Sequence, residues 1–149
     1  MKLLTKITTI FSVLMVLSLC LHAQVKHHTI HRRFSLPAAI ASGKKVYADN
    51  CLSCHQVDGL GIQNMNPPLV KTEYVLGDKT RLIKIVLNGF SENVEINGNT
   101  YSNNMPAHDY MTDQQIAEVL TYVRNSFTNK APYVTAAQVK AVRAANTKK

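Results

Sequence analysis

The spacing of apolar residues along the chain predicts four helices and one hairpin. Apolar side chains recur three and four positions apart in 37–50 and 79–87, as they do on one face of a helix. A fourth, shorter helix is expected over 136–145. Between the second and third helices, Val94 to Tyr101 alternates around Asn97-Gly98, a pair that favours a two-residue hairpin turn. The third and best defined helix carries an apolar stripe, which consists of Ile116, Val119, Leu120, Val123 and Phe127.

Capping residues mark where these helices begin and end. Two capping boxes, each a threonine followed three residues later by a glutamine, open the third and fourth helices at Thr112 and Thr135. Ser35 and Asp78 can cap the first and second helices, because their side-chain oxygens can accept from free backbone N–H groups. Asn88-Gly89 has the composition of a helix C-terminal end. These caps predict the same boundaries as the apolar spacing.

Residues 1–23 have the layout of a secretory signal peptide. Two lysines precede an uncharged apolar run from Ile7 to Leu21, and Ala23 is a small residue suited to cleavage. The run is too short to span a bilayer comfortably. We therefore predict export, cleavage after Ala23 and no membrane span in the mature chain, with an uncleaved membrane anchor as the alternative. Residues 24–35 are predicted to be a basic, flexible leader.

The charge balance narrows the classes of partner. The 149 residues include 17 Lys and Arg against 9 Asp and Glu, a net charge of +8. Loss of Lys2 and Lys6 with the signal peptide leaves 15 against 9, or +6. Such a balance favours acidic partners, and because an exported protein rarely meets nucleic acid, we expect no nucleic-acid partner. The chain has no Trp and four Phe, so a buried prosthetic group would supply apolar mass that the core lacks.

The segment Cys51-Leu52-Ser53-Cys54-His55 is the C-x-x-C-H signature of c-type haem attachment. On one helical turn the two cysteines and the histidine share a face. Both thiols can then add to the vinyl groups of one porphyrin while His55 places a neutral imidazole on the iron. A zinc site would need a second Cys/His pair, and none follows at zinc-finger spacing. Cys20 leaves with the predicted signal peptide, so no structural disulfide is expected.

The motifs after His55 complete a resemblance to class I cytochrome c domains. C-x-x-C-H, Gly59-Leu60-Gly61 and Pro67-Pro68-Leu69 follow one another in the order typical of that family. The resemblance covers about 36–128. It implies an all-α class: a small, orthogonal, cytochrome c-like arrangement of helices wrapped around one covalent haem c and its iron, with one short hairpin. Residues 129–149 would then be a C-terminal extension that contains the extra helix.

Gly43 lies inside the first predicted helix, where glycine costs stability relative to alanine. We therefore expect a close packing contact at this position. In the resembled family the last core helix crosses the first. The resemblance thus implies that Gly43 and Tyr47 face the apolar stripe.

The resemblance also implies a proline carbonyl that accepts a hydrogen bond from Nδ1 of the haem histidine. Such a bond fixes the imidazole tautomer and raises its basicity. Pro67 or Pro68 could supply the carbonyl. The predicted cofactor-binding residues are Cys51, Cys54, His55 and Pro68.

The sixth iron ligand has several candidates, among them Met65, Met105, Met111 and His108. Met105 precedes a proline and lies between the hairpin and the third helix, which matches the axial Met-Pro of the family. We predict His55 and Met105 as the metal ligands. Met65 is expected to pack against the porphyrin, and Met111 to act as a hydrophobic staple for the following helix.

The predicted function is that of a single-electron carrier between periplasmic dehydrogenases and terminal oxidases or similar redox partners, not an enzyme. The alternatives are a peroxidase-like haem enzyme that uses His108, a haem gas sensor, and a cytochrome subunit fixed to a larger complex. The expected location is the periplasm, with membrane association as the alternative. Basic residues near the predicted haem elements are expected to meet an acidic docking surface on the partner: Lys44, Lys45, Lys71, Lys79, Arg81 and Lys84.

Overall fold

Six helices and one two-stranded hairpin make up residues 34–146, the part of the chain that the computed structural model describes. In chain order they are α1 (Leu36–Asn50), α2 (Leu52–His55), α3 (Glu73–Leu76), α4 (Lys79–Asn88), β1 (Val94–Ile96), β2 (Asn99–Tyr101), α5 (Asp113–Arg124) and α6 (Ala136–Ala145). The predicted all-α fold with one short hairpin and an extra C-terminal helix is confirmed. The predicted signal peptide and residues 24–33 lie outside the described residues. Within 34–146 every helix is too short or too polar to cross a bilayer.

The helices begin where the caps predicted, with one difference. Both capping boxes are formed, at Thr112 and at Thr135. The carboxylate of Asp78 accepts from the backbone N–H of Arg81 at 2.7 Å. Ser35 occupies the N-cap position of α1, but its side chain makes no capping hydrogen bond. The start of α1 therefore relies on the proline in its first turn, whose fixed φ suits a helix.

Helix α5 ends at Arg124, so the prediction that Phe127 belongs to its helical stripe is wrong. Phe127 has a φ of 54°, in the left-handed region that ends a helix. The side-chain amide of Asn129 donates to the carbonyls of Val123 at 2.8 Å and of Leu69 at 2.9 Å, which caps the end of the helix. Phe127 still packs on the core, with its ring centroid 5.4 Å from that of Tyr47.

Helices α1 and α5 cross at Gly43, as predicted. A Cβ atom at this position would collide with the backbone carbonyl of Glu118 and would lie 2.8 Å from Cβ of Tyr122. One turn further on, the rings of Tyr47 and Tyr122 lie 5.3 Å apart. The two backbones can approach this closely because residue 43 has no side chain, and the crossing forms one wall of the core.

The C-terminal extension packs on the other helices. The hydroxyl of Thr121 in α5 donates to the carbonyl of Val134 and accepts from its N–H. In α6, Val139 is fully buried and Arg143 forms an ion pair with Asp113 at 2.7 Å. The described segment before α1 also contacts this region, because the ring of Phe34 stacks on that of Tyr133 at 4.0 Å.

Replacing Gly43 with alanine should destabilise the protein. The added methyl group cannot fit between the two helices without moving the α5 backbone, and overpacking of this kind costs about 1–3 kcal/mol. Urea unfolding of Gly43→Ala and of Lys45→Ala, an exposed position of the same helix, measures the difference. Lys45→Ala should change the free energy of unfolding by less than about 0.5 kcal/mol. Equal effects of the two substitutions would contradict the close crossing.

Candidate haem-binding site

The C-x-x-C-H segment forms the joint between α1 and α2. Cys51 is both the C-cap of α1 and the N-cap of α2, and its N–H donates to the carbonyl of Tyr47 at 2.9 Å. The N–H of His55 donates to the carbonyl of Cys51 at 2.9 Å, which closes one turn. Both cysteines are free thiols, and both line the same cavity as His55. The structure thus brings the three predicted attachment residues together.

The two thiols differ in exposure. Cys51 is partly buried, and burial raises the pKa of its thiol to about 11, with the neighbouring Cys54 adding to the effect. Cys51 is therefore a protonated thiol at neutral pH. Cys54 is exposed. A thioether at Cys54 would lie at the protein surface, and one at Cys51 in the interior.

His55 is buried and held in one tautomer. Its Nδ1 lies 3.0 Å from the carbonyl oxygen of Pro67. Because a carbonyl oxygen can only accept, Nδ1 carries the proton and Nε2 keeps its lone pair. Burial lowers the pKa of His55, although the bond to Pro67 acts in the opposite direction. The side chain is therefore a neutral imidazole, the form that binds iron.

The carbonyl in this bond belongs to Pro67, which settles the choice between the two prolines. Pro68, which we predicted as a cofactor-binding residue, lines the cavity but does not accept from His55. The loop that contains Gly61 explains why the Pro67 carbonyl is the acceptor. A Cβ atom on Gly61 would lie 2.7 Å from the Pro67 carbonyl oxygen, and the N–H of Gly61 donates to the carbonyl of His55 at 3.1 Å. The absent side chain of Gly61 leaves room for the proline carbonyl beside His55.

Next to this segment lies a cavity of about 210 Å³. Charged groups contribute little to its lining: among the described residues that line it, Glu92 is the one carboxylate, and lysine and arginine are absent. The apolar lining comes from the loop before α3, from α3 to α5 and from the hairpin; it includes Leu69, Val75, Leu82, Val86, Phe90, Ile96, Val119, Leu120 and Val123. An apolar cavity with two thiols and a neutral imidazole along one side fits a covalently attached haem.

Of the methionines considered as iron ligands, the structure brings two to the cavity. Met105 lines it and is partly buried, and Met111 lines it as part of the hydrophobic core. Met65 does not line the cavity, and 47% of its surface is exposed. The structure therefore gives no support to the expectation that Met65 packs against the porphyrin, which stays a prediction.

His108 also lines the cavity and belongs to a hydrogen-bonded chain that the sequence did not reveal. The hydroxyl of Tyr110 donates to the side-chain oxygen of Asn50 at 2.9 Å. Its oxygen therefore accepts from Nδ1 of His108 at 3.0 Å. Burial lowers the pKa of His108, so it is neutral at pH 7. This series of hydrogen bonds joins the end of α1 to the segment after Met105. No local sequence pattern predicts the bond between Tyr110 and Asn50, which are 60 residues apart.

Comparison with known proteins agrees with this geometry. The family model described as cytochrome c matches residues 40–127, and the chain therefore belongs to the cytochrome c family. The resemblance to class I cytochrome c domains is confirmed. This membership indicates that the matched domain is a haem-based electron carrier and not an enzyme.

Three relatives illustrate the range of proteins with similar sequences. Cytochrome c-552 of Thermus thermophilus is 33% identical over 96 residues, which are 62% of this chain and 64% of that protein. The cytochrome c subunit of gluconate 2-dehydrogenase from Pantoea cypripedii is 35% identical over 106 residues, 68% of this chain and 24% of the subunit. The cytochrome c subunit of alcohol dehydrogenase (quinone) from Gluconobacter oxydans is 33% identical over 93 residues, 61% of this chain and 19% of the subunit. This chain therefore spans less than two thirds of the length of each relative.

Covalent attachment through both thiols should be visible in the mass of the acid-denatured protein. We expect the polypeptide plus one haem, because Cys51 and Cys54 lie on one side of a single cavity. The variant Cys51→Ala/Cys54→Ala should release all of its haem into acid butanone. Ser53→Ala, a change between the two cysteines, should retain it. Release of haem from the unaltered protein would contradict the assignment.

Proposed function

We propose that the chain carries single electrons on one covalent haem c, with His55 and Met105 as the axial ligands of the iron. The observation that supports this most directly is that both side chains line one apolar cavity, with the proton of His55 fixed on Nδ1 by Pro67. When bound, the haem iron supplies the one-electron chemistry. The residues around the haem then determine how tightly the iron is bound and what its reduction potential is.

Each residue has a separate task. Cys51 and Cys54 hold the porphyrin covalently, so the cofactor is not lost between reactions. His55 offers the Nε2 lone pair, and the Met105 thioether is a soft ligand that raises the reduction potential relative to a second nitrogen. The apolar lining excludes water, which keeps the sixth position for the methionine and strengthens electrostatic effects on the iron.

We further propose that the protein is exported to the periplasm and exchanges electrons with other redox proteins there. The predicted signal peptide supports export. The relatives named as cytochrome subunits of dehydrogenases support redox protein partners, and they also favour a second candidate, in which the chain stays bound to one dehydrogenase as its cytochrome subunit.

The predicted docking charges divide into two groups. Arg81 is paired with Glu73 at 3.0 Å, and the Lys79 ammonium donates to the carbonyl of Tyr133 at 2.7 Å. These two cations already have partners within the protein. Lys44, Lys45, Lys71 and Lys84 have exposed side chains. We propose that these exposed lysines steer an acidic partner toward the domain.

Removal of the Met105 thioether should change the iron spectrum and the potential. In Met105→Ala we expect loss of thioether ligation and a fall in reduction potential on the order of 0.1 V, a fraction of the range that axial ligands set. Optical spectra and a potentiometric titration measure both. Met65→Leu is the control, because Met65 lies away from the cavity. If Met65→Leu removed thioether ligation and Met105→Ala did not, the ligand would be Met65.

Charge steering should appear as a salt dependence of the electron-transfer rate. With the anionic acceptor hexacyanoferrate(III), the second-order rate should fall as ionic strength passes ~0.1 M, where the Debye length is ~10 Å. The variant Lys44→Glu/Lys45→Glu/Lys84→Glu should slow the low-salt reaction by about tenfold. The charge-matched control Lys140→Glu/Lys148→Glu/Lys149→Glu should slow it less. A rate that responded to neither salt nor the first variant would mean that these lysines do not steer docking.

A further inference from the structure

The backbone of Met105 is tied to the end of α4. Phe90 and Met105 form an antiparallel pair, in which the N–H of Phe90 donates to the carbonyl of Met105 at 2.9 Å and the N–H of Met105 donates to the carbonyl of Phe90 at 2.8 Å. Three residues later, the N–H of His108 donates to the carbonyl of Val86 at 2.8 Å. The segment 105–108 is therefore bonded at both of its ends, through His108 to the last turn of α4 and through Met105 to Phe90, the residue after the cap of that helix.

Gly89, the C-cap of α4, makes this approach possible. Its φ of 75° and ψ of −175° lie in a region that is open essentially to glycine alone. A Cβ atom on Gly89 would lie 2.5 Å from the carbonyl oxygen of Met105 and 2.9 Å from the nitrogen of Ala107. Any side chain at position 89 would therefore push the Met105 peptide away from α4.

The haem is fixed independently of this contact. Cys51, Cys54 and His55 hold the macrocycle from the α1–α2 joint. A thioether can reach the iron from the other chain segment only if the Met105 backbone stands at the right distance. Functional side chains generally have to be held within about 0.5 Å of the productive position. The end of α4 is the element to which the Met105 backbone is directly bonded.

We propose that Gly89 and the backbone of Phe90 are positioning elements for Met105, and that together they hold its thioether at the iron. This inference rests on the proposed ligation by Met105. The hairpin lies between Phe90 and Met105 in the chain, but we assign it no role in ligating the iron. The pair Phe90–Met105 closes the loop 91–104 at its base. Substitutions at the tip of this loop should therefore leave the position of Met105 unchanged.

The chain offers a control for this inference, a second glycine that shares the positive φ but not the close contact. Gly98 lies at the tip of the hairpin and has a φ of 76°, close to that of Gly89. A Cβ atom on Gly98 would meet nothing within 4 Å. Alanine at either position therefore incurs the cost of a positive φ, but only alanine at position 89 displaces the Met105 peptide.

The experiment compares Gly89→Ala with Gly98→Ala in the haem-loaded protein. Imidazole binding to the ferric iron measures how firmly the methionine holds the sixth position, because imidazole must displace it. Gly89→Ala should bind imidazole about tenfold more tightly than the unaltered protein, and Gly98→Ala should match the unaltered protein within about twofold. In the ferrous proteins, the methyl resonance of the ligating methionine, shifted upfield by the porphyrin ring current, should move or disappear in Gly89→Ala alone.

The outcomes separate this inference from the proposed function. If Met105→Ala loses the shifted methyl resonance while Gly89→Ala keeps it with unchanged imidazole affinity, the positioning role is wrong and ligation stands. If Met105→Ala keeps the resonance, the ligand assignment is wrong, and the inference with it. If Gly89→Ala and Gly98→Ala changed imidazole affinity and the methyl resonance equally, the cause would be a general loosening of the loop. That result would overturn the positioning role.

A measurement on the unaltered protein covers the case in which Gly89→Ala does not accumulate. The amide protons of Phe90 and Met105 should exchange with solvent at least about tenfold more slowly than those of Ser91 and Asn104, because the first two are bonded across the pair. Equal exchange rates at the four positions would show that the pair does not hold and would overturn the inference.

Discussion

The hydrogen bond from Nδ1 of His55 to the Pro67 carbonyl is the interaction on which the site depends. It decides which imidazole nitrogen carries the proton, and so leaves Nε2 free for iron. It also joins α2 to the loop that follows, and Gly61 leaves the space in which the two groups meet. Burial and this bond act on the ring in opposite directions: burial favours the neutral form, and the acceptor keeps the ring basic. A haem ligand needs both properties, because a protonated ring cannot bind and a weakly basic one binds poorly.

Behind the cavity, a buried cation holds the wall together. Arg124 is 2% exposed and, within residues 34–146, donates to backbone carbonyls rather than to a carboxylate; its acceptors include those of Val75, Gly77 and Pro132. A buried charge is costly unless hydrogen bonds compensate it, and burial lowers the pKa of Arg124 accordingly. One side chain thus joins α3, α5 and the start of the C-terminal extension. Through its bond to the Val75 carbonyl, Arg124 is connected to a residue that lines the cavity.

Most of the fold could be predicted from the sequence, because helix caps, apolar spacing and the C-x-x-C-H turn each depend on residues only a few positions apart. Thr112 and Gln115 bond each other's backbone wherever the rest of the chain lies, and the C-x-x-C-H turn closes on itself. The errors arose where distant segments decide the outcome. Helix α5 stops before Phe127 because Asn129 also bonds to Leu69, 60 residues away. The proline carbonyl was ambiguous because both prolines follow the glycine loop, and only the packed loop shows which oxygen faces His55.

The crossing of α1 and α5 at Gly43 bears on which segments of this domain tolerate insertions and deletions. Helices α1 and α5 lie at opposite ends of the matched domain, yet they touch directly, so their crossing brings the two ends of the intervening chain together. Extending a flexible loop raises the entropic cost of closure only slowly, by about 0.6 kcal/mol for each doubling of its length. Segments such as the hairpin can therefore be inserted, enlarged or removed over evolutionary time without undoing the crossing. The position with no side chain is then a fixed point of the domain, and the hairpin, whose loop is closed at its base by the pair Phe90–Met105, is a segment whose length can change.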